Sequence, residues 1–174
     1  MRTDIAAITS QLKEKLSMSP GRHLYAVLGS YEDLDKFEEQ VLARLQTPWG
    51  SGIKAVNLNN ELLTQIEDAK AKELKTREAQ SPKFVEDQLK QYLENLLRSY
   101  FDRNHLLVLK NLELLFIYQL DLNIFRVWGA NQNHILLLLP GEKQGERIQI
   151  FSEEDRFKPM IPGQLLAADH IWEI

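Results

Sequence analysis

The feature that most constrains the fold is the run His134-Ile135-Leu136-Leu137-Leu138-Leu139, bounded by Pro140-Gly141. A strand with one wet face alternates apolar and polar residues. A continuous apolar run reads instead as a strand buried on both faces, which requires covering layers above and below the sheet. Two more such runs, Leu24 to Leu28 and His105 to Leu109, stand upstream. Between the runs lie helical stripes. Ile5, Ile8, Leu12 and Leu16 recur at spacings of three and four, as do Leu34, Phe37, Val41 and Leu45. Phe84, Val85, Leu89, Leu93, Leu96 and Leu97 follow Ser81-Pro82, a helix-start signal.

Strands alternating with helices predict an α/β fold, a three-layer, mostly parallel Rossmann-like sheet with helices on both faces. The expected strands are 24–28, 53–58, 105–109, 134–139, 147–151 and 168–174. The expected helices are 3–17, 32–46, 59–78, 82–100 and 111–129. The two closing strands have no clear helix between them, so an antiparallel C-terminal edge is expected. The 174 residues fit one domain, 1–174, with the helix of residues 1–18 packing on it.

Composition narrows the function classes. The chain has no cysteine, which removes disulfides, thiolate catalysis and cysteine zinc sites. No apolar run reaches the roughly 18 residues of a membrane span. Met1-Arg2-Thr3-Asp4-Ile5 carries an early acid and no apolar leader core, so no signal peptide and a cytoplasmic location are expected. The net charge is −4, against direct binding to nucleic acid, which depends on clustered cations. Lys70, Lys72, Lys75 and Arg77 are interleaved with Glu67, Asp68, Glu73 and Glu78, the pattern of a solvated helix face. Glu153-Glu154-Asp155 reads as a solvated loop.

In a sheet of this class, ligands bind beyond the carboxyl ends of the strands. A phosphate loop after the first strand would read G-x-x-x-x-G-K-[ST]. The chain has Leu28-Gly29-Ser30-Tyr31-Glu32-Asp33-Leu34-Asp35-Lys36. Gly29 and Ser30 remain, Lys36 is a lone cation, and three carboxylates occupy the helix start, where they compete with any bound anion. At the end of the strand 105–109, where an Asp would hold Mg²⁺, stands Lys110, followed by Glu113 in the first turn of the next helix. A cation does not ligate a metal that requires oxygen donors. Gly29, Ser30, Lys36, Lys110 and Glu113 thus mark a degenerate nucleotide site, and no catalytic residue, cofactor or metal is expected. The histidines His23, His105, His134 and His170 lack the spacing of a helical zinc pair and read as structural or surface residues. Trp49, in a Gly/Pro-rich turn, and Trp172 are candidate interface aromatics.

Two stretches carry a family resemblance. Leu107-Val108-Leu109-Lys110-Asn111-Leu112-Glu113-Leu114-Leu115-Phe116 followed by Ile135 to Gly141, and Ala55-Val56-Asn57-Leu58-Asn59 before Leu62-Leu63, resemble the small P-loop protein of BREX phage-defence systems, BrxF. Pro140-Gly141-Glu142 is also similar to BrxB, a second component of those systems that lacks a phosphate loop. The chain departs from BrxF at the missing phosphate loop and at Lys110. The resemblance implies a non-catalytic adaptor that docks other defence-system proteins, with a homo-oligomer compatible, DNA reached only indirectly and no membrane. The alternatives are an NTPase or nucleotide sensor with an atypical loop, and a DNA-binding accessory protein.

Overall fold

The computed structural model describes residues 3–66, 68–151 and 158–174, with the side chains of 68–71 left aside. Five strands run parallel: β1 (Leu24–Gly29), β2 (Val56–Asn57), β3 (Leu106–Lys110), β4 (His134–Gln144) and β7 (Ile171–Glu173), in the spatial order β2-β3-β4-β1-β7. An antiparallel hairpin, β5 (Arg147–Ile150) and β6 (Met160–Pro162), extends β4 and completes a mostly parallel seven-strand sheet.

The apolar runs fall at the centre of this sheet. The register pairs Leu24 with Ile135 through Gly29 with Pro140, and Leu106 with His134 through Leu109 with Leu137. Successive side chains alternate across the two faces. Leu24, Ala26, Leu28, Leu107, Leu109, Ile135, Leu137 and Leu139 share one core with α3 (Leu58–Thr64), α5 (Pro82–Phe101), α6 (Glu113–Ile117) and α7 (Asn123–Trp128). Tyr25, Val27, Leu106, Val108, Leu136, Leu138 and Trp172 share the other with α1 (Ile5–Leu16) and α2 (Tyr31–Gln40). This is the Rossmann-like three-layer α/β architecture that the alternating pattern predicts. Each fully buried leucine contributes roughly 1.5–3 kcal/mol of transfer free energy, so the strand that buries both faces anchors two cores at once.

The elements differ from the sequence expectation where side-chain hydrogen bonds break a pattern. The strand expected over 53–58 pairs only at Val56 and Asn57, because the Asn57 side chain accepts from the Asn60 amide at 3.0 Å and starts α3. The helix expected over 59–78 is two, α3 and α4 (Asp68–Glu78). The helix expected over 111–129 is also two, α6 and α7, with Gln119 between them at φ 52°.

Pro140-Gly141 does not end β4. The strand leaves its parallel neighbours there and continues to Gln144 against β5. Pro140 lacks an N–H but its carbonyl accepts from Phe151 at 2.7 Å. A Cβ on Gly141 would lie 2.4 Å from the Gln149 carbonyl oxygen, so the crossing strand needs glycine. At the C-terminal edge β5 is antiparallel as expected. Its partner β6 went unseen in the pattern, and β7 is parallel to β1. The residues Glu67 and Glu153-Glu154-Asp155, and the side chains of Asp68 and Lys70, lie outside the described set.

Candidate functional site

The chain leaving β1 crosses β4 and β3 to reach β2, whereas the chain leaving β4 crosses β1 to reach β7. The order therefore reverses between β4 and β1, and the crevice beyond Gly29 and Pro140 is where a sheet of this kind offers a site.

That crevice is filled by the protein's own groups. Ile174 N–H donates to the Leu28 carbonyl at 2.9 Å, which lays the Ile174 side chain over Gly29. A Cβ at position 29 would stand 2.8 Å from Ile174 Cγ1, so glycine here makes room for isoleucine. Ser30 caps α2: its Oγ accepts from the Asp33 amide at 3.1 Å and donates to Asp33 Oδ2 at 2.7 Å. The cavity that remains holds about 180 Å³ and is lined by Gly29, Ser30, Glu142, Phe151, Glu173 and Ile174 among others. Its volume is below the roughly 300–1,000 Å³ of small-molecule sites, and its charged lining residues are both acidic.

The two candidate lysines are engaged elsewhere. Lys36, exposed on α2, donates to Glu32 Oε1 at 2.6 Å, and that hydrogen bond raises its pKa. Lys110 donates to Glu38 Oε2 at 2.6 Å, and Glu38 Oε1 accepts from the Ala55 amide at 3.1 Å. This pair ties α2 to the end of β3 and to the chain entering β2. Glu113 accepts from Asn59 Nδ2 at 2.6 Å and from the Tyr31 hydroxyl at 3.4 Å. Asn59 in turn accepts from the Leu114 amide at 3.1 Å, while its own N–H donates to the carbonyl of Asn111, a residue at φ 56°. Gly29 and Ser30 thus meet Ile174, whereas Lys110 and Glu113 belong to a neighbouring polar network reached through Glu38, Asn59 and Tyr31. Lys36 pairs with Glu32 on its own helix. The partner residues Glu38, Asn59 and Ile174 carry no motif, and only contacts between distant segments reveal them.

The opposite, amino edge brings together the four histidines that read as structural or surface residues in the sequence. His23, His105 and His170 immediately precede β1, β3 and β7, and His134 begins β4. Because β3, β4, β1 and β7 are neighbours, the four histidines stand side by side. The signal was present: each heads an apolar run, and parallel strands bring their starts to one edge. The His23 and His134 rings stack with centroids 4.1 Å apart. His23 Nδ1 lies 2.9 Å and His134 Nδ1 3.4 Å from the Tyr25 hydroxyl. The Trp49 ring lies 5.0 Å from His134 and 5.7 Å from His105. Burial, then the neighbouring His23 and His105, lower the His134 pKa to about 4. Burial, then the charge of Asp169, push the Tyr25 hydroxyl well above its ordinary value. Among the described residues no group of three His, Asp or Glu side chains is arranged to hold a metal ion.

The two candidate interface aromatics separate. Trp49 is 40% exposed, while Trp172 is 3% exposed and donates its indole N–H to Gln11 Oε1 at 2.7 Å. Trp172 is therefore a core residue joining β7 to α1, a correction to its reading as a candidate interface aromatic. A cavity of about 670 Å³ lies between α6, α7 and β6 and shares no residue with the β1–α2 turn. No family model, no curated protein and no solved structure matches the chain. No described helix is long and apolar enough to cross a membrane.

Proposed function

We propose that this protein is a non-catalytic adaptor of a bacterial, BREX-type anti-phage system, a cytoplasmic P-loop-like domain that docks other proteins of the system and holds no nucleotide. One observation carries the nucleotide-free part of the reading: the Ile174 side chain occupies the space beside Gly29 where a phosphate would approach the backbone. Ser30 and Asp33 close the start of α2, and Glu32 neutralises Lys36. The Lys110–Glu38 pair supports it further, since it puts an ion pair where a Mg²⁺ ligand would be needed. The defence role rests on the resemblance at residues 55–63 and 106–141, and Trp49 is the exposed aromatic best suited to a protein partner.

A thermal-shift titration with ATP or GTP and Mg²⁺ tests the nucleotide part. A ligand at 100 times its dissociation constant stabilises by about 2.7 kcal/mol, or about 5–10 °C in a chain of this size. No shift is the expected outcome, and a clear shift would establish the nucleotide-sensor alternative. Native co-purification tests the docking part. Neighbouring defence components should elute with the protein, and their absence at every salt concentration would overturn the adaptor role. A salt-dependent mobility shift of DNA by the isolated protein would favour the DNA-binding alternative.

A further inference from the structure

The hydrogen bonds at the amino edge admit one proton arrangement when the imidazoles are neutral. His23 Nε2 faces the Ser19 carbonyl at 3.2 Å and must donate to it. The neutral ring then leaves Nδ1 as an acceptor, so the Tyr25 hydroxyl donates to His23 Nδ1. The Tyr25 oxygen in turn accepts from His134 Nδ1. The chain His134, Tyr25, His23, Ser19 thus runs in one direction, from the start of β4 to the segment that follows α1.

Adding one proton to His23 reverses a link. Its Nδ1 becomes a donor, and the Tyr25 hydrogen must turn to its remaining acceptor, the Lys15 carbonyl at 3.4 Å. A second proton on His134 would place two cations in rings that stack at 4.1 Å, with both residues almost fully buried. Burial and like charge both disfavour that state, and a charge there is relieved only when water reaches it. Trp49 lies over His134 and His105 in a short turn closed by Thr47 and Gly50. Gly50 and Gly52, which follow Trp49, have positive φ. The attraction of a cation for the indole face is smaller than the cost of burying it. The other charged groups nearby are Lys15 and Asp169, which pair with each other, and His170, which accompanies Asp169 and contacts Tyr25.

We propose that the four histidines and Tyr25 form an acid-sensitive latch that holds the Trp49 turn and the end of α1 against the amino edge of the sheet, and releases them on protonation. The latch adds a regulatory device to the surface that presents Trp49, and it stands whether or not the adaptor role does. NMR titration of the full chain tests it, following the imidazole resonances, the Trp49 indole and the Lys15 and Ser19 amides. His134 should protonate in an acid step that also moves Trp49 and Ser19, with far-UV circular dichroism unchanged. Tyr25→Phe removes the hydroxyl between the rings and should separate the Ser19 movement from the His134 step. The latch is refuted if His134 titrates near 6.5, if Trp49 stays still through the step, or if the step is global unfolding. It is equally refuted if the Tyr25→Phe protein folds and Ser19 still moves with the His134 step.

Discussion

The two edges of one parallel sheet differ in how they handle charge. At the carboxyl edge, every candidate functional group is an ionised or polar side chain with a defined partner: Lys110 with Glu38, Glu113 with Asn59, Ser30 with Asp33. At the amino edge, imidazole rings are packed against one another and against Tyr25 and Trp49. The first edge is stitched by complementary charge. The second is stitched by ring packing and hydrogen bonds, and burial there lowers the pKa of His134. Chain topology is the origin of this difference. Strand starts bring together the residues that precede apolar runs, here histidines, while strand ends bring together helix caps and first-turn acids.

The largest effect expected from this contrast is a loss of stability in acid that originates at the amino edge. The folded-state His134 pKa, about 4, lies below the ordinary 6.5. The unfolded chain therefore binds the proton first, and stability falls as pH drops from about 6.5 towards 4, then levels off for this group. The gap corresponds to about 3 kcal/mol. Urea denaturation at pH 7 and pH 4 should show that loss in the native protein. It should be smaller by about that amount in His134→Leu, and an identical loss in the variant would place the acid sensitivity elsewhere.

A smaller effect is expected at the carboxyl edge. Lys110→Ala leaves Glu38, whose side chain is 19% exposed, with the Ala55 amide as its remaining partner in this network. The cost should be about 2 kcal/mol, below that of breaking a fully buried pair because water reaches both groups. Lys110→Met, which keeps the stem, should not recover it. Equal stability of the two edges' variants at pH 7 would erase the distinction between them. Ser30→Ala removes the cap of α2 and should cost about 1 kcal/mol. On the reading proposed above it should produce no response to ATP or GTP in the thermal-shift titration, since Ile174 still lies over Gly29.

Much of the architecture was legible in the chain. Runs with no polar interruption announced the central strands β1, β3 and β4, and three- and four-residue spacing announced α1, α2 and α5. The short elements were not, because single hydrogen bonds set them. Asn57 turns a strand into a cap, and Gln119 in the left-handed region divides one helix into two. Pro140-Gly141 misled for a related reason. Both residues are turn formers in isolation, yet a strand crossing from one partner to another can use a missing N–H and a missing Cβ. At the β1–α2 turn, the incomplete glycine loop and the acids at 32, 33 and 35 could be read directly. That Ile174 fills the space, and that Glu38 receives Lys110, required the fold.

By itself, then, the sequence determined the class of architecture, the absence of cysteine chemistry and the lack of a phosphate-loop motif, since each depends on residue type and local spacing. Only the tertiary structure decided which groups meet. It brought a distant isoleucine onto Gly29 and buried Trp172 while leaving Trp49 exposed. It also lined up four histidines far apart in the chain, because adjacency in a parallel sheet follows strand order and not sequence order.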